Sequence, residues 1–343
     1  MLRVSASIKC FTAVLFLLAF LNTSLASGGK EGDLPGHVAA HIVHHASAGS
    51  AFNGHVSMQG IVADSIIIPL RQAGRLFLIE GKADGETGFF VFDTGASGLV
   101  LNRTYFRDHV TGGSDNSSGI TGAVSKVDKI TVDRLDIADL HYTSLAAGMT
   151  NLGHIENRKG MKILGLIGFQ LLKDFEIVFD PQQNLLQLYR IDKVGNRLGG
   201  KKSSFPAEYT QKVDFIGNIL FMKGTIGHKS IRFCLDTGAE TNVIDNHLSK
   251  EVIQTLSLTR RSSLKGAGSN TNEVLFGIMN DFVLGDRVLT GMEAILANLD
   301  ALEAAYGAKM EGMLGYSFLS RGVFCFNFVK KEIGIRFYKA GEL

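Results

Sequence analysis

The chain carries one short string twice. Phe92-Asp93-Thr94-Gly95-Ala96 recurs 143 residues later as Leu235-Asp236-Thr237-Gly238-Ala239, and its surroundings recur with it. Gly74-Arg-Leu-Phe-Leu-Ile-Glu-Gly81 corresponds to Gly217-Asn-Ile-Leu-Phe-Met-Lys-Gly224, each block starting 19 residues before its aspartate. Downstream, Gly165-Leu-Ile-Gly168-Phe169 matches Gly312-Met-Leu-Gly315-Tyr316. Phe175–Phe179 and Tyr189 then match Gly322–Phe326 and Tyr338. The order is the same in both copies: apolar hairpin, Asp-Thr-Gly, variable middle, apolar pair plus Gly, final hairpin. A period near 145 residues is too long for a solenoid and fits two homologous lobes.

Length and composition agree. A chain of 343 residues holds two domains with cores of their own. Its 45% hydrophobic content is that of a globular protein, and its 23 Phe fall mostly in strand-like runs. The first 26 residues read as a secretory signal: Arg3 and Lys9 precede an apolar run, Phe11–Leu21, and Ser24-Leu25-Ala26 offers a cleavage site before Ser27. The alternative is an uncleaved anchor, although the apolar run is short for a membrane span. Cleavage removes two cations and takes the formal charge from +2 to zero. A neutral mature chain gives no argument for nucleic acid or for stable membrane association. A secreted or periplasmic location follows as an expectation. Cys10 leaves with the signal; Cys234 and Cys325 read as buried thiols, with a disulfide as the alternative.

Residues 27 to about 66 stand outside the repeat. His37, His41, His44 and His45 would share one helix face, but no Cys or acid completes a ligand set nearby. A prosegment-like leader with incidental histidines, and no metal, is therefore expected. Residues 67–192 form the first lobe, 193–212 a Gly/Lys/Ser-rich linker, and 213–343 the second lobe. Ile66–Leu70, Leu76–Ile79 and Phe89–Phe92 read as strands, with Ala83–Gly88 the turn region before the third. Ser114–Gly122 reads as a polar loop, and the Ala/Leu/Glu-rich stretch from Ala294 to Ala308 as a helix.

An acid at the end of an apolar strand is rigidly placed, and Gly two residues on permits a tight turn and close backbone approach. If the lobes pack about a pseudo-twofold axis, Asp93 and Asp236 face one another and share a proton. Such a pair can hold a water, take its proton with one carboxylate and protonate a carbonyl oxygen with the other.

On these residues the chain resembles the pepsin and retropepsin clan of aspartic peptidases, over roughly residues 70–343. The resemblance implies an all-β bilobal fold with a cleft, a mobile hairpin flap and no cofactor. It makes Asp93 and Asp236 the catalytic acids, with Thr94, Gly95, Thr237 and Gly238 in support. It implies that Leu166-Ile167-Gly168 and Met313-Leu314-Gly315 thread behind the catalytic loops. Two departures stand out. Ala96 and Ala239 occupy positions where pepsin-like members carry Ser or Thr, so the dyad is expected to titrate higher and to work nearer neutrality. No flap tyrosine is evident: Tyr105 and Tyr142 read as packing residues. Gly119 and Gly122, or Gly266 and Gly268, are the candidate flap tips.

The expected partner is a polypeptide laid extended across the cleft, cut by a monomer that already holds both halves of the dyad. A non-catalytic peptide-binding module of the same fold is the alternative, and a scaffold protein working through its His-rich leader is a third reading.

Overall fold

The computed structural model describes residues 11–12, 47–48, 55–56, 65–96, 98–119, 122–199, 205–216, 219–265 and 271–339. The signal apart from Phe11 and Thr12, the leader histidines, Gly266 and Gly268 lie outside them. The fold is all-β, with a closed six-stranded barrel and a half-barrel.

The first lobe closes on itself. Leu76–Ala83 pairs with Glu86–Phe92, which runs parallel to Ile163–Ile167. That strand pairs with Leu99–Asn102, which runs parallel to Leu140–Thr150. Leu140–Thr150 pairs with the long strand Gly122–Ile137, whose end returns to Lys82 and Ala83. The second lobe follows the same order: Ile219–Ile226, Lys229–Leu235, Gly312–Leu314, Asn242–Asp245, Met292–Ala297, Thr271–Met279. Here the last strand is broken after Met279, and its continuation, Phe282–Leu284, pairs with Thr225 and Ile226.

A six-stranded sheet joins the lobes, three strands from each: Tyr209–Lys212, Glu332–Phe337, Gly322–Asn327, Phe175–Asp180, Leu185–Arg190 and Ser65–Ala73. Its middle pair, Ile177 opposite Phe326 and Val178 opposite Cys325, brings the two copies together. The phenylalanines of those apolar runs build a continuous aromatic path behind the site. It runs Phe77, Phe179, Phe92, Phe169, Phe326, Phe324, Phe318, Phe282 and Phe233, with neighbouring centroids 4.9–6.4 Å apart. Each such pair adds about 0.5–1.5 kcal/mol beyond area burial, so the lobes share one core. Cys234 and Cys325 are buried free thiols.

Three local expectations need correction. Ser114–Gly119 is a strand, paired antiparallel with the start of Gly122–Ile137, so the polar stretch is half of a hairpin. Its residues have poor strand propensity, but the partner strand decides the outcome. The turn before Phe89 is confined to Asp84 and Gly85, both with positive φ, and the strand resumes at Glu86. Finally, Met292–Ala297 is a strand, and the helix covers only Asp300–Tyr306. Ala294, Ile295 and Leu296 pair with strands on both sides, which overrides their helical preference, and Asn298 turns the chain by accepting a bond from the Asp300 amide. Tyr209–Lys212, at the end of the stretch read as linker, is an edge strand of the joining sheet.

Among the described residues no helix is long and apolar enough to cross a membrane. No group of three or more His, Cys, Asp and Glu is placed among them to hold a metal ion.

Candidate active site

Each aspartate sits at the end of a buried strand and is held from behind by the threading strand. The Asp93 amide donates to the Ile167 carbonyl and the Asp236 amide to the Leu314 carbonyl, both at 3.0 Å. Gly168 and Gly315 follow where the backbones approach closely. A Cβ would lie 2.1 Å from the Ala96 carbonyl oxygen at Gly168, and 2.5 Å from the Thr241 oxygen at Gly315. The apolar-apolar-Gly elements therefore lie behind the loops.

The two loops interlock. The Thr94 amide donates to Thr237 Oγ1 at 3.0 Å, and the Thr237 amide to Thr94 Oγ1 at 2.9 Å. Each hydroxyl then donates to the strand end of the opposite lobe: Thr94 to the Leu235 carbonyl at 2.9 Å, Thr237 to the Phe92 carbonyl at 2.6 Å. These crossing bonds bring the carboxyls face to face. A Cβ on Gly95 would stand 2.7 Å from the Asp236 carboxyl, and one on Gly238 would stand 2.8 Å from that of Asp93. Asp93 Oδ1 accepts the Gly95 and Ala96 amides at 2.9 and 3.1 Å; Asp236 Oδ1 accepts that of Gly238 at 2.8 Å.

Both carboxyls are fully buried. Burial pushes Asp93 well above the ordinary carboxylate range, reinforced by the Asp236 charge, while the Gly95 and Ala96 amides act against the rise. Burial likewise raises Asp236, against its hydrogen bonds to Asp93 and the loop amides. Two such groups titrate as a pair and retain one proton well above the usual carboxylate range.

The structure also assembles residues that the repeat pattern did not reveal, because they differ between the copies. Glu240 follows the second motif where Ser97 follows the first, and Lys159 Nζ of the opposite lobe reaches its Oε1 at 2.7 Å. Both side chains are nearly buried, at 8% and 10% exposure. Arg75 donates from the same lobe to the Glu240 carbonyl at 3.2 Å and to Glu293 Oε2 at 2.5 Å. Tyr306 is buried beside the dyad, its hydroxyl 3.4 Å from the Gly95 carbonyl. Burial raises its phenol and the Cys234 thiol, with the dyad charges adding to both. The only sequence signal for these residues is the mismatch between copies.

Of the flap candidates, Gly119 and Gly122 face one another at the end of the first-lobe hairpin, whose strand Ser114–Gly119 approaches helix Asp300–Tyr306 of the other lobe. The second-lobe hairpin, Leu256–Lys265 with Thr271–Met279, leads to the stretch containing Gly266 and Gly268, outside the described residues. Tyr142 is a core residue whose hydroxyl donates to the Leu171 carbonyl at 2.7 Å, and Tyr105 bonds Glu156.

The all-β fold is like that of the retropepsin-like aspartic peptidases. Residues 222–318 match the family model of aspartyl proteases, a span that takes in Asp236, Thr237, Gly238 and the second threading strand. Asp93 lies outside that span. A search of curated proteins found no match.

Proposed function

We propose that the protein is an aspartic endopeptidase that hydrolyses peptide bonds with a water activated between Asp93 and Asp236. The observation that carries this reading is the crossing of the Thr94 and Thr237 hydrogen bonds, which sets each carboxyl against the other loop's glycine. With one proton on the pair, the ionised carboxyl takes a proton from water as its oxygen attacks the carbonyl carbon. The protonated carboxyl gives its proton to the carbonyl oxygen. Collapse of the tetrahedral diol returns a proton to the departing nitrogen and breaks the C–N bond. The chemistry requires no cofactor. Both carboxyls are buried, so an extended substrate reaches them only when the covering segments part. The Gly119–Gly122 hairpin is the flap we assign to that step. A secreted or periplasmic location and action as a monomer complete the proposal, on the N-terminal signal pattern and on the presence of both half-sites in one chain.

The test compares purified wild type, Asp93→Asn and Asp236→Asn on a peptide library across pH. We expect each variant to lose about 10²–10⁴-fold in activity. Because both carboxyls are raised, wild-type activity should extend from mildly acidic towards neutral pH. It should fall on the acid side as the dyad takes up its second proton and on the alkaline side as it loses its last. Equal, non-zero cleavage by all three proteins refutes the dyad. Peptide binding without cleavage at any pH supports the non-catalytic module instead.

A further inference from the structure

The two lobes carry matching short helices, and the last residue of each reaches the other lobe's catalytic loop. Gly153–Lys159 and Asp300–Tyr306 both span seven residues and both follow a leucine. Both stop at a left-handed glycine, Gly160 at φ 62° and Gly307 at φ 64°. Each then leads into its lobe's threading strand. Lys159 and Tyr306 therefore hold the same place in the two copies. Lys159 crosses to Glu240, just past the second Asp-Thr-Gly. Tyr306 crosses to the first, where its hydroxyl donates to the Gly95 carbonyl.

That carbonyl is the back of a peptide group whose front faces the dyad. The N–H of the same group, that of Ala96, donates to Asp93 Oδ1 at 3.1 Å, and the Gly95 amide donates to the same oxygen at 2.9 Å. Gly95 also faces Asp236, whose carboxyl a Cβ would approach to 2.7 Å. One peptide group thus separates the Tyr306 hydroxyl from Asp93. The phenol itself is buried, in a cluster with Phe221, Cys234, Ala239, Leu299, Leu302 and Met313. Cys234 and the two aspartates are the titratable groups whose charges bear on it. Burial keeps the phenol protonated, so it remains a donor wherever the dyad titrates. A bond at a carbonyl polarises the N–H of the same peptide group. At 3.4 Å the bond is long, as contacts in unliganded sites often are.

We propose that Tyr306 is a positioning residue for Asp93. Its hydroxyl fixes and polarises the Gly95–Ala96 peptide group, and that group holds the Asp93 carboxyl in place and stabilises its ionised form. The role rests on the endopeptidase reading, and the experiment separates the two.

The measurement is the pH profile of kcat and kcat/KM for Tyr306→Phe, which removes the hydroxyl and keeps the ring. The variant's kcat should fall about 2–10-fold, the worth of one neutral hydrogen bond, with KM little changed. The acid limb of its profile should move up by roughly 0.1–0.5 pH unit, because a weaker Ala96 N–H bond disfavours the ionised carboxyl. The position of that limb does not depend on how much of the variant is folded. Leu302→Ala is the control. Leu302 lies one turn back on the same helix and is fully buried in the same cluster. Its truncation should lower stability more than Tyr306→Phe does and leave the acid limb where wild type has it. An unmoved limb in Tyr306→Phe overturns the positioning role while leaving the endopeptidase standing, as does an equal shift in Leu302→Ala. No cleavage of any peptide by wild type overturns both.

Discussion

Replacing Thr94 by Val tests the interlock that builds the site. Val keeps the shape and volume of Thr and removes only the hydroxyl. That hydroxyl accepts the Thr237 amide and donates to the Leu235 carbonyl, both at 2.9 Å and both buried across the lobe boundary. The substitution leaves a buried N–H and a buried C=O without this partner. An abandoned buried polar group costs about 1–3 kcal/mol, so the two together predict a loss of about 2–6 kcal/mol. Against a typical total of about 5–15 kcal/mol, a loss of that size shows plainly in a urea titration with its slope unchanged. Thr94→Ser is the control. It keeps both bonds and loses one methyl, about 1 kcal/mol. Activity should fall further than stability requires, because loosening the loops changes the carboxyl separation, and misplacement by about 1 Å can cost about 100-fold. The reasoning fails if Thr94→Val unfolds within about 0.5 kcal/mol of wild type, or if Thr94→Ser is as damaging as Thr94→Val.

Asp236→Asn should change the pH dependence of stability. Both dyad carboxyls are raised by burial, so the native state holds protons that the unfolded chain has released. Their stabilising contribution is full below the ordinary carboxylate pKa and is lost as pH rises through the raised values. Melting curves should therefore show wild type declining with pH across that window and Asp236→Asn declining less, with the variant the more stable at the alkaline end. Parallel curves would contradict a proton-sharing pair. Lys159→Met strands a nearly buried Glu240 and should cost about 3–5 kcal/mol in chemical denaturation. Adding Glu240→Leu should restore much of it, and failure of that rescue would show that the ion pair does not set the cost.

How much could be read before folding depended on range and repetition. The aspartates, their Thr-Gly partners and the threading Gly168 and Gly315 were legible because each is embedded in a local apolar strand pattern that occurs twice. Lys159 and Glu240 were not, being 81 residues apart with no periodicity to link them. The helix expected through Ala294–Ala308 failed because propensity is local, whereas Ile295 answers to Val243 and Phe276 on neighbouring strands.

The sequence by itself determined a duplicated strand-and-turn pattern with an aspartate at the end of an apolar strand in each copy. It could do so because backbone period, turn glycines and strand-end acids are properties of contiguous residues. Only the tertiary structure decided that the carboxyls face one another in a buried setting that raises both. The same is true of Lys159 and Arg75, both drawn from the first lobe onto Glu240 of the second. Burial, charge pairing and cross-lobe hydrogen bonds depend on distances between residues far apart in the chain.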